Sequence, residues 1–211
     1  MKKRVLMIGI LFSIGLSFAQ GATNWKKVAE EDNITVFALP TGSGIIPFKA
    51  KGIINAPIKT VLSSLTDHQR KPKWSPKLKS VKVHQEVSKD KEYIFSEYYK
   101  TPWPAYDREF LLKGEIVYDK NGDIHLNAKS INNKQLINDD HIQAEVKYIN
   151  VALHALTPNQ TEVTFEFHGD MKGWMPVWLM NLIQKKWPLR FIQGLRKHIQ
   201  SNNSQIFKTK K

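Results

Sequence analysis

Arg108 is the residue in this chain that most needs a chemical explanation. It lies between Asp107 and Glu109 in the run Pro102-Trp103-Pro104-Ala105-Tyr106-Asp107-Arg108-Glu109-Phe110. Period-two alternation puts it on the same strand face as Phe110, Leu112, Gly114, Ile116 and Tyr118. If that face is the interior one, a buried guanidinium needs a partner, because an unpaired buried charge is very costly. It either holds the polar or anionic head of an otherwise apolar ligand, or pairs with Asp107, Glu109 or Glu97 and fixes the start of the strand. Of these, the structural use is the more common. Other chemistries have less to stand on. Asp139-Asp140-His141 are adjacent and cannot all converge on one ion, and His84, His141 and His168 sit on the polar side of strands, so no metal site is expected. The chain has no cysteine, which excludes thiol nucleophiles, Cys-type zinc fingers, iron–sulfur clusters and disulfide scaffolds. There is no Gly-x-Ser-x-Gly elbow, phosphate loop or dinucleotide fingerprint, and no cofactor is implied.

The elements that must position these residues follow from period and punctuation. Trp25 to Glu31 reads as a short amphipathic helix closed by Asp32-Asn33. Residues 34–39 form a strand stopped by Pro40 and the turn Thr41 to Gly44, and residues 48–54 form a second. Asn55 is a good N-cap and Pro57 suits a first helical turn, so Ile58, Val61, Leu62 and Leu65 make one helical stripe over 57–67. Strands follow around Val81 and Val83 and over 92–99 and 108–118, with Asn121-Gly122 as a hairpin signal before 124–128. Residues 141–148 alternate with Ile142, Ala144, Val146 and Tyr148 inward, and 162–168 place Val163, Phe165 and Phe167 inward. A long helix opens at Gly173 to Pro176 and runs to about Gln200. Trp178, Leu179, Leu182 and Ile183 mark one of its faces, and Phe191, Ile192, Leu195 and Ile199 a nearly opposite one. Such a helix should be enclosed on two sides, with Pro188 interrupting it between the two sets. The fold class is α+β: an antiparallel sheet of about seven strands with one apolar terminal helix across its inner face.

The N-terminus bears on the compartment. Lys2-Lys3-Arg4 precedes an apolar run of fourteen residues, Val5 to Phe18, and Ser17 and Ala19 supply small residues before Gln20. That is the three-part pattern of a secretory signal peptide. An uncleaved anchor is the alternative, but the run is short against the roughly 20 residues of a membrane span. Residues 1–19 are therefore expected to be a signal peptide and 20–211 one domain, periplasmic or secreted. The formal charge is +13, and removing residues 1–19 leaves 29 cations against 19 acids, a net +10. Export makes nucleic acid an unsuitable partner despite that charge.

Four stretches resemble, in order, the START (steroidogenic acute regulatory protein-related lipid transfer) superfamily and its bacterial START-like members. They are Phe48 to Pro57, His68 to Pro76 with Trp74-Ser75-Pro76, Pro102 to Phe110, and Pro176-Val177-Trp178-Leu179-Met180-Asn181. The resemblance implies a helix-grip fold, a curved antiparallel sheet around a long C-terminal helix. It also implies an apolar tunnel for one lipid or other hydrophobic small molecule, handled without covalent chemistry. Arg108, Glu97, Tyr98, Phe110, Leu112, Phe165, Phe167, Trp178, Leu182 and Trp103 are the candidate ligand-binding residues, Trp103 as a gate or a rigid corner. Hydrophobic residues beside Lys185-Lys186 suit an interfacial element, and Trp174 and Met175 are the candidate contacts with an anionic membrane. The chain reads as a monomer. Related aromatase/cyclases make an enzyme using the same cavity the alternative function, and an exported envelope protein with an empty cavity is a third.

Overall fold

The computed structural model describes residues 24–40 and 46–209. The expected signal peptide over residues 1–19, the expected turn at Thr41 to Gly44 and the last two residues of the basic tail lie outside them. Among the described residues the chain forms ten strands and two α-helices. The strands are β1 (Lys26–Glu31), β2 (Ile34–Ala38), β3 (Phe48–Ile54), β4 (Leu78–Ser88), β5 (Glu92–Tyr99), β6 (Arg108–Tyr118), β7 (Ile124–Ser130), β8 (Ile142–Gln143), β9 (Glu145–Thr157) and β10 (Gln160–Asp170). The helices are α1 (Ile58–Thr66) and α2 (Val177–Thr209). One sheet runs in the order β1-β2-β3-β10-β9-β7-β6-β5-β4, and β8 lies parallel to the start of β6. All other pairings are antiparallel.

The excess over seven strands has local causes. Residues 26–31 are a strand, not a helix. Asp32 and Asn33 both take left-handed backbone angles, φ 53° and 56°, which makes a two-residue hairpin turn between Glu31 and its partner Ile34. Pairing with β2 then overrides the helix propensity of Lys, Ala and Glu, which is favourable but small per residue. The expected strand 141–148 is divided between β8 and β9. Gly169 pairs with Val146 and His168 with Tyr148, a bulge that shifts the phase. Tyr148 therefore faces outward against the His168 ring, 5.5 Å away, and Val151 and Leu153 take the inward places.

Asn55 does not cap α1. Pro57 occupies the cap position, and the Asn55 side chain instead accepts a hydrogen bond from Gln160 Nε2 at 3.1 Å. Val61 and Leu65 of α1 are buried as the stripe requires.

The inner sheet face packs on the second half of α2, where Leu189, Phe191, Ile192, Leu195 and Ile199 are all buried. The first half differs from expectation. Leu179 is buried, but Trp178 and Leu182 are 57% and 45% exposed, so this part of the helix is covered on one side only. Pro188 lies between the halves, where its missing N–H removes a bond from the helical ladder. A second covered region lies on the outer face. Ser96, Glu109 and Leu111 point away from α2 yet are buried, beneath the segment that leads from β7 to β8, whose Asn138 and Ile131 N–H groups bond to Glu109 and Leu111.

Candidate ligand-binding site

Aromatic side chains from four strands meet on the concave face: Phe48 of β3, Phe165 and Phe167 of β10, Phe110 of β6 and Tyr99 of β5. Phe48 and Phe167 stack at 5.1 Å, and Phe110 stacks on Phe167 at 6.0 Å. Two hollows remain. One, of about 80 Å³, extends from Trp187 past Phe95, Leu112, Leu126 and Val151 to Leu65 and His68. The other, of about 160 Å³, lies between α2 and the β5–β6 connection, with Phe110, Leu179, Leu182, Ile183 and Trp187 in its wall and Lys77, Lys100, Lys186 and Arg190 around it.

The inner hollow has a polar end. Glu97 is 2% exposed, and its Oε1 accepts from Lys71 Nζ at 2.5 Å while Oε2 accepts from the Tyr99 hydroxyl at 2.7 Å. Burial, reinforced by the Glu97 carboxylate, holds the Tyr99 hydroxyl well above the ordinary phenol range. His68 lies beside this pair, its ring against Tyr93 and Phe95. Burial and then the Lys71 charge push its pKa down, while Glu97 and Asp67 oppose the shift. The His68 Nδ1 atom is buried and has no hydrogen-bond partner. An apolar hollow ending in one compensated carboxylate, one phenol and one open imidazole nitrogen can receive an apolar molecule with a small hydrogen-bonding head.

The charged triplet at the start of β6 holds three loops. Asp107 accepts from Thr101 N–H at 2.9 Å and from Lys79 Nζ at 3.0 Å, closing the β5–β6 connection. Arg108, fully buried, donates to four main-chain carbonyls: Met171 at 3.2 Å, Lys172 at 2.9 Å, Trp174 at 3.3 Å, and Tyr106. Its partners are thus carbonyls and not Asp107, Glu109 or Glu97, and no carboxylate among the described residues forms an ion pair with it. Glu109, on the opposite face, accepts from Asn138 N–H at 2.7 Å and Gln143 Nε2 at 2.6 Å.

Burial alone would raise the Glu109 pKa, but the polar groups around it, Ser96, Asn138, Gln143 and Tyr98, outweigh it and hold the carboxyl below its usual range. A carboxyl depressed in the fold contributes stability above its unfolded pKa of about 4.3, and that stability is lost as pH falls through the folded value. The stability gap between the unaltered chain and Glu109→Gln, read from urea midpoints, should therefore shrink from pH 6 to pH 3. A gap independent of pH would show that the Glu109 charge contributes nothing.

Of the candidate ligand residues, Glu97, Leu112 and Phe165 line the inner hollow and Phe110 and Leu182 the outer one. Phe167 is buried in the aromatic floor and borders a third space of about 90 Å³ beside Met171 and Ile183. The others lie elsewhere. Tyr98 faces outward against His141, because alternation along β5 puts it opposite Glu97 and Tyr99. Trp103 is 90% exposed at the tip of the β5–β6 connection, so it is not packed as a rigid corner. Met175 is buried with Ala105 and Leu179, whereas Trp174 is 67% exposed, so of the two proposed membrane contacts only Trp174 is at the surface. His68, Lys71 and Trp187 complete the hollows and were not among the candidates. No spacing rule links Lys71 to a carboxylate 26 positions away. Trp187 did carry a signal, as a large aromatic directly before an interior helix proline.

An open, curved antiparallel sheet closed by one C-terminal helix over an apolar interior is the helix-grip fold. The family model described as START domain matches residues 17–205, and the chain belongs to that family. Human StAR-related lipid transfer protein 5 superposes with a TM-score of 0.79 at 16% identity, over 87% of this chain and 90% of that one. A STAR-related lipid transfer protein from Xanthomonas axonopodis gives 0.74 at 18%, over 83% and 98%. The Zhui aromatase/cyclase from Streptomyces sp. R1128 gives 0.50 at 8%, over 73% and 93%. At such identities the likeness is one of fold. Among curated proteins none matches the chain significantly in sequence.

Proposed function

We propose that this chain is an exported monomeric carrier that holds one hydrophobic molecule between its sheet and α2 and exchanges it with anionic membranes. The observation that carries this reading is the interior itself: mainly aromatic and aliphatic walls, a buried polar end at Glu97, and an apolar outer hollow leading to the surface beside α2. Burial of apolar area drives such binding. Membrane contact is supported by a cluster of exposed aromatic residues. Trp103, Tyr106, Trp174 and Trp178 are 90%, 75%, 67% and 57% exposed. The connection that carries Trp103 and Tyr106 is joined to the segment of Trp174 and the first turn of α2, which carries Trp178, through Arg108 and through the Ala105–Met175–Leu179 contact, with Lys100 and Lys185 nearby in sequence.

Solvent extraction and mass spectrometry of the purified chain should recover a stoichiometric lipid-like molecule. Failure to recover one, together with no binding of fluorescent sterol or phospholipid analogues, would end the carrier reading. In the same preparation, adsorption to phosphatidylglycerol vesicles should weaken with salt and fall severalfold in Trp174→Ala. Indifference to both would remove the membrane step. A second reading, a cyclase, has one observation in its favour: His68, Glu97 and Tyr99 are acid–base groups at a cavity wall. Catalytic turnover of a polyketide-type substrate that Glu97→Gln abolishes would favour it over carriage.

A further inference from the structure

Trp187 lines both hollows, and Tyr99 is the one other residue that does. Tyr99 is fixed, since it belongs to the sheet and its hydroxyl is held by Glu97. The indole is carried by the helix and is the removable part of the partition. It stands edge-on against five rings, those of Phe48, Tyr99, Phe110, Phe165 and Phe167, with centroids 5.1 to 6.5 Å away and interplanar angles of 85° to 90°. Edge-to-face packing of this kind is favourable for an aromatic ring, whose positive rim meets the negative faces of its neighbours. At about 80 and 160 Å³, the two hollows separately fall short of the roughly 300–1,000 Å³ of ordinary ligand sites.

The backbone beside Trp187 allows its displacement. Pro188 has no N–H, so the Gln184 carbonyl lacks its helical donor. Beyond Pro188 the helix is fixed by Leu189, Phe191, Ile192 and Leu195, each at most 4% exposed. Before it, Trp178, Met180 and Leu182 are 57%, 40% and 45% exposed. The indole therefore rides on the weakly held half.

We propose that Trp187 occupies the subsite of a ligand ring, and that the cognate ligand is a flat, fused-ring apolar molecule that displaces it. The ring system takes the indole's place on the aromatic floor, and a single hydroxyl or carbonyl reaches the polar end at Glu97, Tyr99 and the open His68 Nδ1. This rests on the carrier reading and adds the shape class of the cargo and the residue that selects it. Trp187 acts as a tethered competitor, so the affinity measured for a ligand is the intrinsic one reduced by the fraction of molecules with the indole out.

The test is titration of the full-length chain, Trp187→Ala and Trp187→Leu with two fluorophores, flat 1-aminoanthracene and flexible cis-parinaric acid. Circular dichroism establishes that each variant is folded. The Kd for 1-aminoanthracene should fall on the order of tenfold in Trp187→Ala and less in Trp187→Leu, while the Kd for parinaric acid changes by less than about threefold. If Trp187→Ala does not fold, the Trp187→Leu result decides. Binding by all chains with no gain in the variants overturns the role of Trp187 and leaves the carrier reading standing. An equal gain for both probes overturns the ring subsite. Absence of binding by every chain overturns the carrier reading and this inference with it.

Discussion

Replacing Arg108 by methionine should lower the stability of the fold by about 3–5 kcal/mol and leave the affinity for apolar ligands nearly unchanged. The substitution keeps an apolar stem but leaves four main-chain carbonyls, those of Tyr106, Met171, Lys172 and Trp174, without their donor. A hydrogen bond from a charged donor contributes about 1.5–3 kcal/mol, and the sum over four such bonds must be discounted for relaxation of the carbonyls toward other donors or water. For a chain of this size the loss corresponds to a fall in Tm of roughly 10 °C. Denaturant and thermal midpoints measure the stability change, and ligand titration measures the affinity. If stability barely changes while ligands with polar heads bind more weakly, Arg108 is a ligand residue and the loop-holding role is secondary.

Gly194→Ala presents two opposing effects of different size. Helix propensity alone predicts a gain of up to about 1 kcal/mol, since glycine is the poorer helix former. A Cβ at this position, however, would lie 2.2 Å from the Trp74 carbonyl oxygen, a backbone atom that cannot turn aside. Trp74 is also held through its ring, which packs edge-on against Phe191 at 5.3 Å. Helix and loop must separate, and overpacking of this kind costs about 1–3 kcal/mol. The expected outcome is a net loss of about 1–2 kcal/mol, read as a lower urea midpoint with the slope unchanged. A midpoint equal to or above that of the unaltered chain would mean the close approach does not hold in solution.

The parts of the fold legible from sequence were those in which one signal dominates. β3, β5 and β6 are long, aromatic or β-branched and clearly punctuated, and α1 carries one unbroken stripe. The family motifs supplied the rest of the architecture. β1 was not legible because Lys26 to Glu31 is made of good helix formers and its fate is decided by Asp32-Asn33 turning it back onto β2. The inward phase of β9 was not legible because a bulge leaves no mark in a run of Tyr, Ile, Asn and Val. At the site, alternation along β6 found Phe110 and Leu112, and applied strictly along β5 it would have kept Glu97 and removed Tyr98. Alternation also gave the face of Arg108 but not its partners, since carbonyls from residues 171–174 are a property of the folded loop and not of any side chain. The pairing of Lys71 with Glu97 depends on how the 71–73 turn sits over β5, which no local pattern encodes.

Among the described residues the sheet does not close on itself: its order begins at β1 and ends at β4, with no pairing between those two strands. In a closed barrel, strand number and stagger fix the bore, and widening it means breaking ladder bonds. An open, curved sheet has no such hoop. Its curvature can relax by small changes of twist shared over nine neighbouring strands while every backbone hydrogen bond stays intact. The elastic compliance of the sheet is thus separate from the cooperativity of its fold, and under the carrier reading guests of different girth would be accommodated by bending rather than by local melting.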